Sequence, residues 1–459
     1  MIYEFLQIDK QSGRLYYEQL YESFKAAISG GLIKKGDRLP SVRRLSADLD
    51  ISRTTVQTAY DQLCAEGYIE SRPQKGYFAE AELSDISFDS MPDKKSERSI
   101  QLNAQKTIEY DFSGSGVDPD ITDIKYWQRC IKNVLDEPQI ITSYGDPQGE
   151  YELRSTLCEY SRRLRGVKAA PDRIVIGAGT QTLLSILLGL CSDYGFDAAL
   201  EKGFFPQGEQ IFSDMRWSIT PLSADKNGIV IGDDISSRVV FVNSSGSNRG
   251  SSPIPVSKRA EIIRWANDTD SIIIEDDYNG ELRYTSKPVP ALQGMCESRV
   301  VYIGSFSKLL LPSVRLSYMV LPESLAEVYS QRKANYNQTA SKVEQLALSE
   351  YISAGRLERQ LRKLRKLYGE RSELMCSAAK EIFSDAVVEV IETALCVRIK
   401  LKTEKTIDTI RRECFGAGIK LGKIREKNGL KYFYLSFAAI PEDKLKSGLK
   451  ELALIVYDR

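Results

Sequence analysis

Histidine is absent from all 459 residues, and that absence removes much chemistry at the outset. A Ser–His–Asp triad, a Cys–His pair and any histidine-ligated metal site are excluded. An excess of one charge is lacking too: 63 Lys and Arg balance 63 Asp and Glu. Net charge therefore predicts neither a nucleic-acid nor a membrane partner, and any DNA affinity has to come from a local patch. Apolar runs such as Leu183–Leu190 are too short to cross a bilayer, which predicts a soluble protein. The start, MIYEFLQIDKQSG, has neither a basic n-region nor an apolar h-region, so no signal peptide is expected. Eight cysteines, from Cys64 to Cys414, contain no C-x-x-C pair. That argues against a zinc site and for reduced thiols in a cytoplasmic protein. What remains is a chain of ordinary hydrophobic content (42%), long enough for more than one domain.

The sequence divides into three stretches. Residues 1–80 contain a compact helical unit. Tyr17–Ser29 has helical spacing of Leu20, Phe24, Ala27 and Ile28, with a stop at Gly30-Gly31. Ser41 precedes a second helical run with Leu45 and Leu49, and Ser52 is the expected N-cap of a third carrying Val56, Tyr60 and Leu63. Gly67–Glu70 and Gly76–Phe78 flank Arg72-Pro73-Gln74-Lys75, two short strands with a turn between them. Residues 81–107 are rich in Ser, Asp, Lys, Glu and Gln, a flexible linker by composition. In residues 108–459, strand-like RIVIG, DAALE, RVVFV, SIIIEDD and RVVYIG alternate with helical patterns. That alternation predicts an α/β domain with a mainly parallel sheet.

Two short helices joined at Leu49–Ser52 make a helix-turn-helix, whose second helix opens with Arg53-Thr54-Thr55. Arg and short donors at that end can reach base edges in a major groove. Arg72 and Lys75 stand in the wing beside Gly76, where the backbone can approach a minor groove. Residues 34–80 carry eight basic and seven acidic side chains, so bulk electrostatics does not make the case; the ordered pattern does. LPSVRRLSADLDISRTTVQTAYDQLCAEGYIESRPQKGYF resembles the GntR-type winged helix-turn-helix across nearly its whole length. The resemblance implies double-stranded DNA contacts at Arg43, Arg53 and Gly76, with Ser41, Arg44, Thr54 and Thr55 at phosphates.

In YIGSFSKLLLPSVRL, Lys308 follows a strand and a Gly-Ser-Phe-Ser turn, with an arginine seven residues on. A lone lysine is usually a solvated cation. Lys308, set among apolar and small residues, is expected to have a lowered pKa and to act on a carbonyl. Ser305, Ser307 and Arg315 suit a phosphate clamp. SIIIEDDYNGELRY brings carboxylates to a strand end, where a metal or plain solvation is the blander account. Gly179-Thr180-Gln181, between a strand and a helix start, favours a phosphate, though tight packing alone also explains it.

Together these runs resemble fold-type I aminotransferases, and more closely the MocR/GabR-type regulators that fuse one to a GntR module. The resemblance implies pyridoxal 5′-phosphate as cofactor, with Lys308 as its Schiff-base lysine. It places Arg315, Thr180 and Gln181 at the phosphate, Asp276 at the pyridine nitrogen, Tyr278 at the ring hydroxyl and Phe205 against the ring. YGDPQGEYELR matches the family's opening motif, so Tyr144 is expected at the phosphate of a partner subunit's site in a head-to-tail homodimer. Asn248 falls where the family often has N-P-x-G, another ring-hydroxyl contact. Two departures stand out. GSNRGSSP lacks the proline of N-P-x-G, and KYFYLSFAAI puts Tyr434 where the arginine for a substrate carboxylate is expected. Lys431 or another basic residue would have to compensate.

The first reading is thus a transcription regulator whose aminotransferase-like domain senses a small amine, an amino acid or the cofactor itself. The alternative is a working aminotransferase with an accessory DNA-binding domain, against which Tyr434 weighs. A dead scaffold serving dimerisation is disfavoured by Lys308, Asp276 and Arg315 occurring together.

Overall fold

The computed structural model describes residues 5–6, 8–9, 13–80, 108–201, 203, 205–225, 228–232, 235–245, 253–285 and 289–457. The expected linker, 81–107, and Asn248 lie outside the described residues. The chain forms two compact units, residues 1–105 and 106–459.

In the first unit, helices span Tyr16–Ser29, Val42–Asp48 and Arg53–Ala65. Leu20, Phe24, Leu45, Val56, Tyr60 and Leu63 converge into one core. The turn between the second and third helices passes through Asp50 in a left-handed conformation. Ser52 caps the third helix by accepting from the Thr55 N–H at 3.0 Å, as the sequence predicts. Strands Ile69–Arg72 and Gly76–Ala79 form the wing, and Arg38 bridges to Phe78 beside it.

The second unit is built on a seven-stranded sheet. Its order is Ile174–Gly177, Ser317–Val320, Val300–Ser305, Ile272–Asp276, Val239–Val242, Asp197–Leu200 and Ser218–Pro221. All five strand-like runs of the sequence lie in it. Ser317–Val320 is antiparallel to both neighbours, while the other adjacent pairs are parallel. Both faces are covered: Ile272 and Ile274 enter one apolar cluster, Ile273 another. This explains why these strands read as continuous apolar runs rather than alternating ones.

A four-stranded antiparallel sheet follows, ordered Val387–Ile391, Cys396–Leu401, Leu430–Ser436 and Ile424–Lys427. The first strand of the unit, Tyr110–Asp111, pairs in parallel with Ile419–Lys420, far along the chain. The 27-residue helix Arg356–Ile382 carries Leu357, Leu361, Leu364 and Met375 into the large core. Among the described residues, no helix is long and apolar enough to cross a membrane.

Candidate functional site

The parallel strands of the large sheet all end at the same edge, and Asp276 and Ser305 are the last residues of their strands. The antiparallel strand does the complementary thing. The chain leaves the edge after Ser305, makes the Phe306–Leu316 loop and re-enters at Ser317, so Arg315 is returned to the same edge. Ligands bind at this end of open α/β sheets because loops there converge without a covering strand.

A cavity of about 580 Å³ opens there, between the sheet edge and the C-terminal sheet. From the first come Thr180, Gln181, Phe205, Asp276, Tyr278, Ser305, Ser307, Lys308 and Arg315. Nine sequence-predicted residues are thus brought together from five chain segments. Tyr144 lines no part of this cavity and is fully exposed.

Lys308 Nζ donates to the carbonyl oxygens of Gly114 and Gly116 at 2.5 and 2.9 Å. Burial lowers the amine's pKa to about 8, only weakly opposed by Asp111. Asp276 is buried, and the neighbouring carboxylates Asp277 and Glu275 add to the cost of charging it, so its pKa rises to about 7. Its two neighbours are already served. Glu275 accepts from the N–H groups of Leu292 and Gln293 at 2.8 and 3.0 Å. Asp277 takes a two-pronged pair from Arg165, at 2.5 and 2.8 Å, with Ser245 and Tyr302 also donating. Burial alone would raise the Asp277 pKa, but Arg165 and these donors bring it below the ordinary value. Asp276 itself has no hydrogen bond or ion pair among the described residues.

Gly179 precedes the helix Thr180–Leu190 with φ +96°, and a β-carbon there would lie 2.6 Å from Nη2 of Arg315. The glycine is needed so that the guanidinium can sit over the helix N-terminus. Ser305 and Ser307 hydroxyls are 3.2 Å apart beside it. Phe205 stacks on Phe241 with centroids 6.2 Å apart, ahead of the helix Pro206–Asp214.

These residues fit pyridoxal 5′-phosphate. A helix N-terminus under a guanidinium suits a dianionic phosphate. A buried carboxylate lacking any partner suits a protonated pyridine nitrogen. A buried amine with a lowered pKa suits an aldehyde. Without histidine, and with no cluster of three or more potential metal ligands among the described residues, the set matches a heterocycle.

Sequence reasoning missed several lining residues: Ser113, Gly114, Ser115, Gln207, Asn243, Thr393, Cys396, Lys423 and Ser436. The Ser-Gly-Ser-Gly run at 113–116 was a usable signal, since such runs mark close backbone approach. The others carry no local pattern. Lys431 does not reach the cavity. Its Nζ donates to Thr403 O at 3.0 Å and lies 3.5 Å from Glu426.

In the first unit, Ser41, Arg43, Arg44, Arg53 and Thr54 are exposed and Thr55 is half-buried at its helix start. Ser41 accepts from the Arg44 N–H at 3.3 Å, so its hydroxyl serves first as a cap. Arg44 lies 3.7 Å from Asp48. Arg72 is held by Glu70 at 2.9 Å and Glu80 at 3.6 Å, over the Phe78 ring. Lys75 is exposed next to Gly76, whose φ is +104°.

Residues 16–78 match the family described as "Bacterial regulatory proteins, gntR family", and residues 118–411 match "Aminotransferase class I and II". The HTH-type transcriptional regulator YdeL of Bacillus subtilis is 34% identical over 95% of this chain and 96% of its own length. The probable rhizopine catabolism regulatory protein MocR of Rhizobium meliloti is 30% identical over 83% of this chain and 80% of its own. The pyridoxine biosynthesis transcriptional regulator PdxR of Corynebacterium glutamicum is 28% identical over 78% and 77%. Among solved structures, an archaeal alanine:glyoxylate aminotransferase superposes with a TM-score of 0.69 at 19% identity, covering 78% of this chain and 93% of that one. With a winged helix-turn-helix and a cofactor pocket of this composition on one polypeptide, the chain belongs to the family of HTH-type transcriptional regulators that join a GntR-type DNA-binding domain to an aminotransferase class I and II domain.

Proposed function

We propose that the aminotransferase-like domain, residues 108–459, is the sensing half of this regulator, and that residues 1–80 bind its operator. The carrying observation is that Lys308, Asp276 and Arg315 line one cavity with a helix N-terminus. Pyridoxal phosphate, when bound, supplies an electrophilic carbon that amines attack and a ring that withdraws electrons. Arg315, Ser305, Ser307, Thr180 and Gln181 anchor its phosphate. Asp276 holds the pyridine nitrogen protonated, Tyr278 meets the ring hydroxyl and Phe205 covers the ring face. Lys308 presents a desolvated amine to the aldehyde carbon. Small-molecule control then requires that the effector prefer one conformation of the protein over another.

A homodimer accords with this reading. Leu135, Ile141, Tyr144 and Tyr151 are all exposed within one stretch of chain, and Tyr144 is free to enter a partner's pocket. Transamination is at most slow or partial in this reading, since Tyr434 stands where the arginine for a substrate carboxylate is expected. Footprinting of the upstream intergenic DNA, with and without pyridoxal phosphate and candidate amines, tests this. A footprint that changes with neither the cofactor nor any amine refutes sensing. Keto-acid formation over many turnovers would favour the enzymatic alternative.

A further inference from the structure

Among the described residues, three cationic side chains line the cavity: Lys308, Arg315 and Lys423. The first two face the sheet edge and suit the cofactor. Lys423 belongs to the opposite wall, formed by the C-terminal sheet, together with Tyr434 and Ser436. It stands beside the position where a cation is missing. The backbone N–H of Tyr434 donates to the carbonyl of Lys423 at 3.0 Å, so Lys423, the residue before strand Ile424–Lys427, lies directly against Tyr434. Gly422 allows this closeness, since a β-carbon there would come within 3.1–3.3 Å of the carbonyl oxygens of Ser113, Tyr434 and Phe112.

The other basic residues nearby are committed. Arg398, opposite Tyr434 in the register, is ion-paired and hydrogen-bonded to Glu389. Lys431 is turned to Thr403 and Glu426. Lys423 differs. Its Nζ donates to the carbonyl of Gly203 at 3.0 Å, and Arg425 Nη2 donates to the same oxygen at 2.7 Å. Two like charges therefore converge on one carbonyl, and neither forms an ion pair among the described residues. Burial and the Arg425 charge lower the Lys423 pKa, while the more distant carboxylates of Glu209 and Glu201 pull it the other way without forming an ion pair with it. An ammonium has three donors and Lys423 uses one here, leaving capacity for a ligand.

We infer that Lys423 is the anion anchor of the effector subsite, and that the effector is a small amine also bearing a carboxylate. The carboxylate lies against Lys423 and Tyr434, and the amino group points toward Lys308. A lysine is a compact charge without the planar fork of arginine, so the anchor tolerates several carboxylate placements along the ligand. This inference rests on the sensing role proposed above.

The test uses full-length protein reconstituted with pyridoxal phosphate and follows the cofactor's absorbance. L-Alanine, β-alanine and 4-aminobutyrate are titrated against ethylamine and propylamine, which lack the carboxylate. In the unaltered protein at least one amino acid should bind about tenfold or more tighter than its amine counterpart, the scale of a charge-assisted hydrogen bond. Lys423→Met should bring that ratio close to one, and Lys423→Arg should keep most of it. The amine serves as an internal control, and the Arg variant keeps the test decisive should the Met variant misfold. A ratio near one in the unaltered protein, a ratio unchanged in Lys423→Met, or no binding by any amino acid overturns the inference. Failure to take up the cofactor at all would instead bring down the sensing role first.

Discussion

The Nζ of Lys308 donates to the carbonyl oxygen of Gly116 at 2.9 Å, tying the reactive amine to the segment that opens the second unit. The two N–H groups of a neutral amine suffice for the carbonyls of Gly114 and Gly116 and leave the lone pair that an aldehyde needs, which the protonated amine lacks. Burial lowers the pKa to about 8, so the neutral, nucleophilic form gains population as pH rises through that value. The rate of cofactor capture by the cofactor-free protein should therefore climb with a midpoint near pH 8 and then level off. Stopped-flow absorbance measures it. A midpoint in the ordinary lysine range would mean that the amine is solvated.

Gly179→Ala tests the proposed phosphate cradle. The added carbon would lie 2.6 Å from Arg315 Nη2, at a backbone φ of +96° that side chains rarely adopt. Stability should fall by at least about 1 kcal/mol from the backbone alone. Displacing the guanidinium should weaken pyridoxal phosphate binding about tenfold or more. Thermal melting and cofactor titration separate the two effects; a variant with unchanged cofactor affinity removes Arg315 from the cradle.

Arg165 and Asp277 form a fully buried pair behind the cavity. Arg165→Met leaves a buried carboxylate without its counter-charge, and such removals cost about 3–5 kcal/mol. Replacing both, as Arg165→Met with Asp277→Leu, should recover a substantial part of that loss. Urea denaturation of the two variants reads the difference. Equal losses in the single and double variants would show that the pair's stabilisation comes from Ser245 and Tyr302 instead.

In the first unit, Arg53 is exposed at the start of its helix and has no carboxylate partner among the described residues. Arg53→Ala should cost about 1–3 kcal/mol in operator binding and relax preference at one base position. Arg72→Ala should matter less, because Glu70 and Glu80 already hold that guanidinium. Gel-shift titrations on operator variants distinguish a base contact from a phosphate contact. A uniform loss across all sequences assigns Arg53 to the backbone.

Local chemistry wrote much of this protein into its sequence. Ser52 as a cap, the tight connection at Leu49–Ser52 and the helix spacing of Leu20, Phe24 and Ile28 depend on residues a few positions apart. The Lys308–Arg315 interval was equally legible, since one loop between two adjacent strands returns both side chains to the same edge. Tertiary structure alone decided what stands opposite them. The pairing of Tyr110–Asp111 with Ile419–Lys420 carries Gly114 and Gly116 to Lys308, across nearly two hundred residues of sequence. The same sheet architecture sets Lys423 beside Tyr434 and leaves Lys431 turned away. Strand pairing over such separations is governed by backbone hydrogen bonds and burial that no short run of residues encodes, so the end of the pocket that carries Lys308 and Arg315 was visible early and the end that carries Lys423 only in three dimensions.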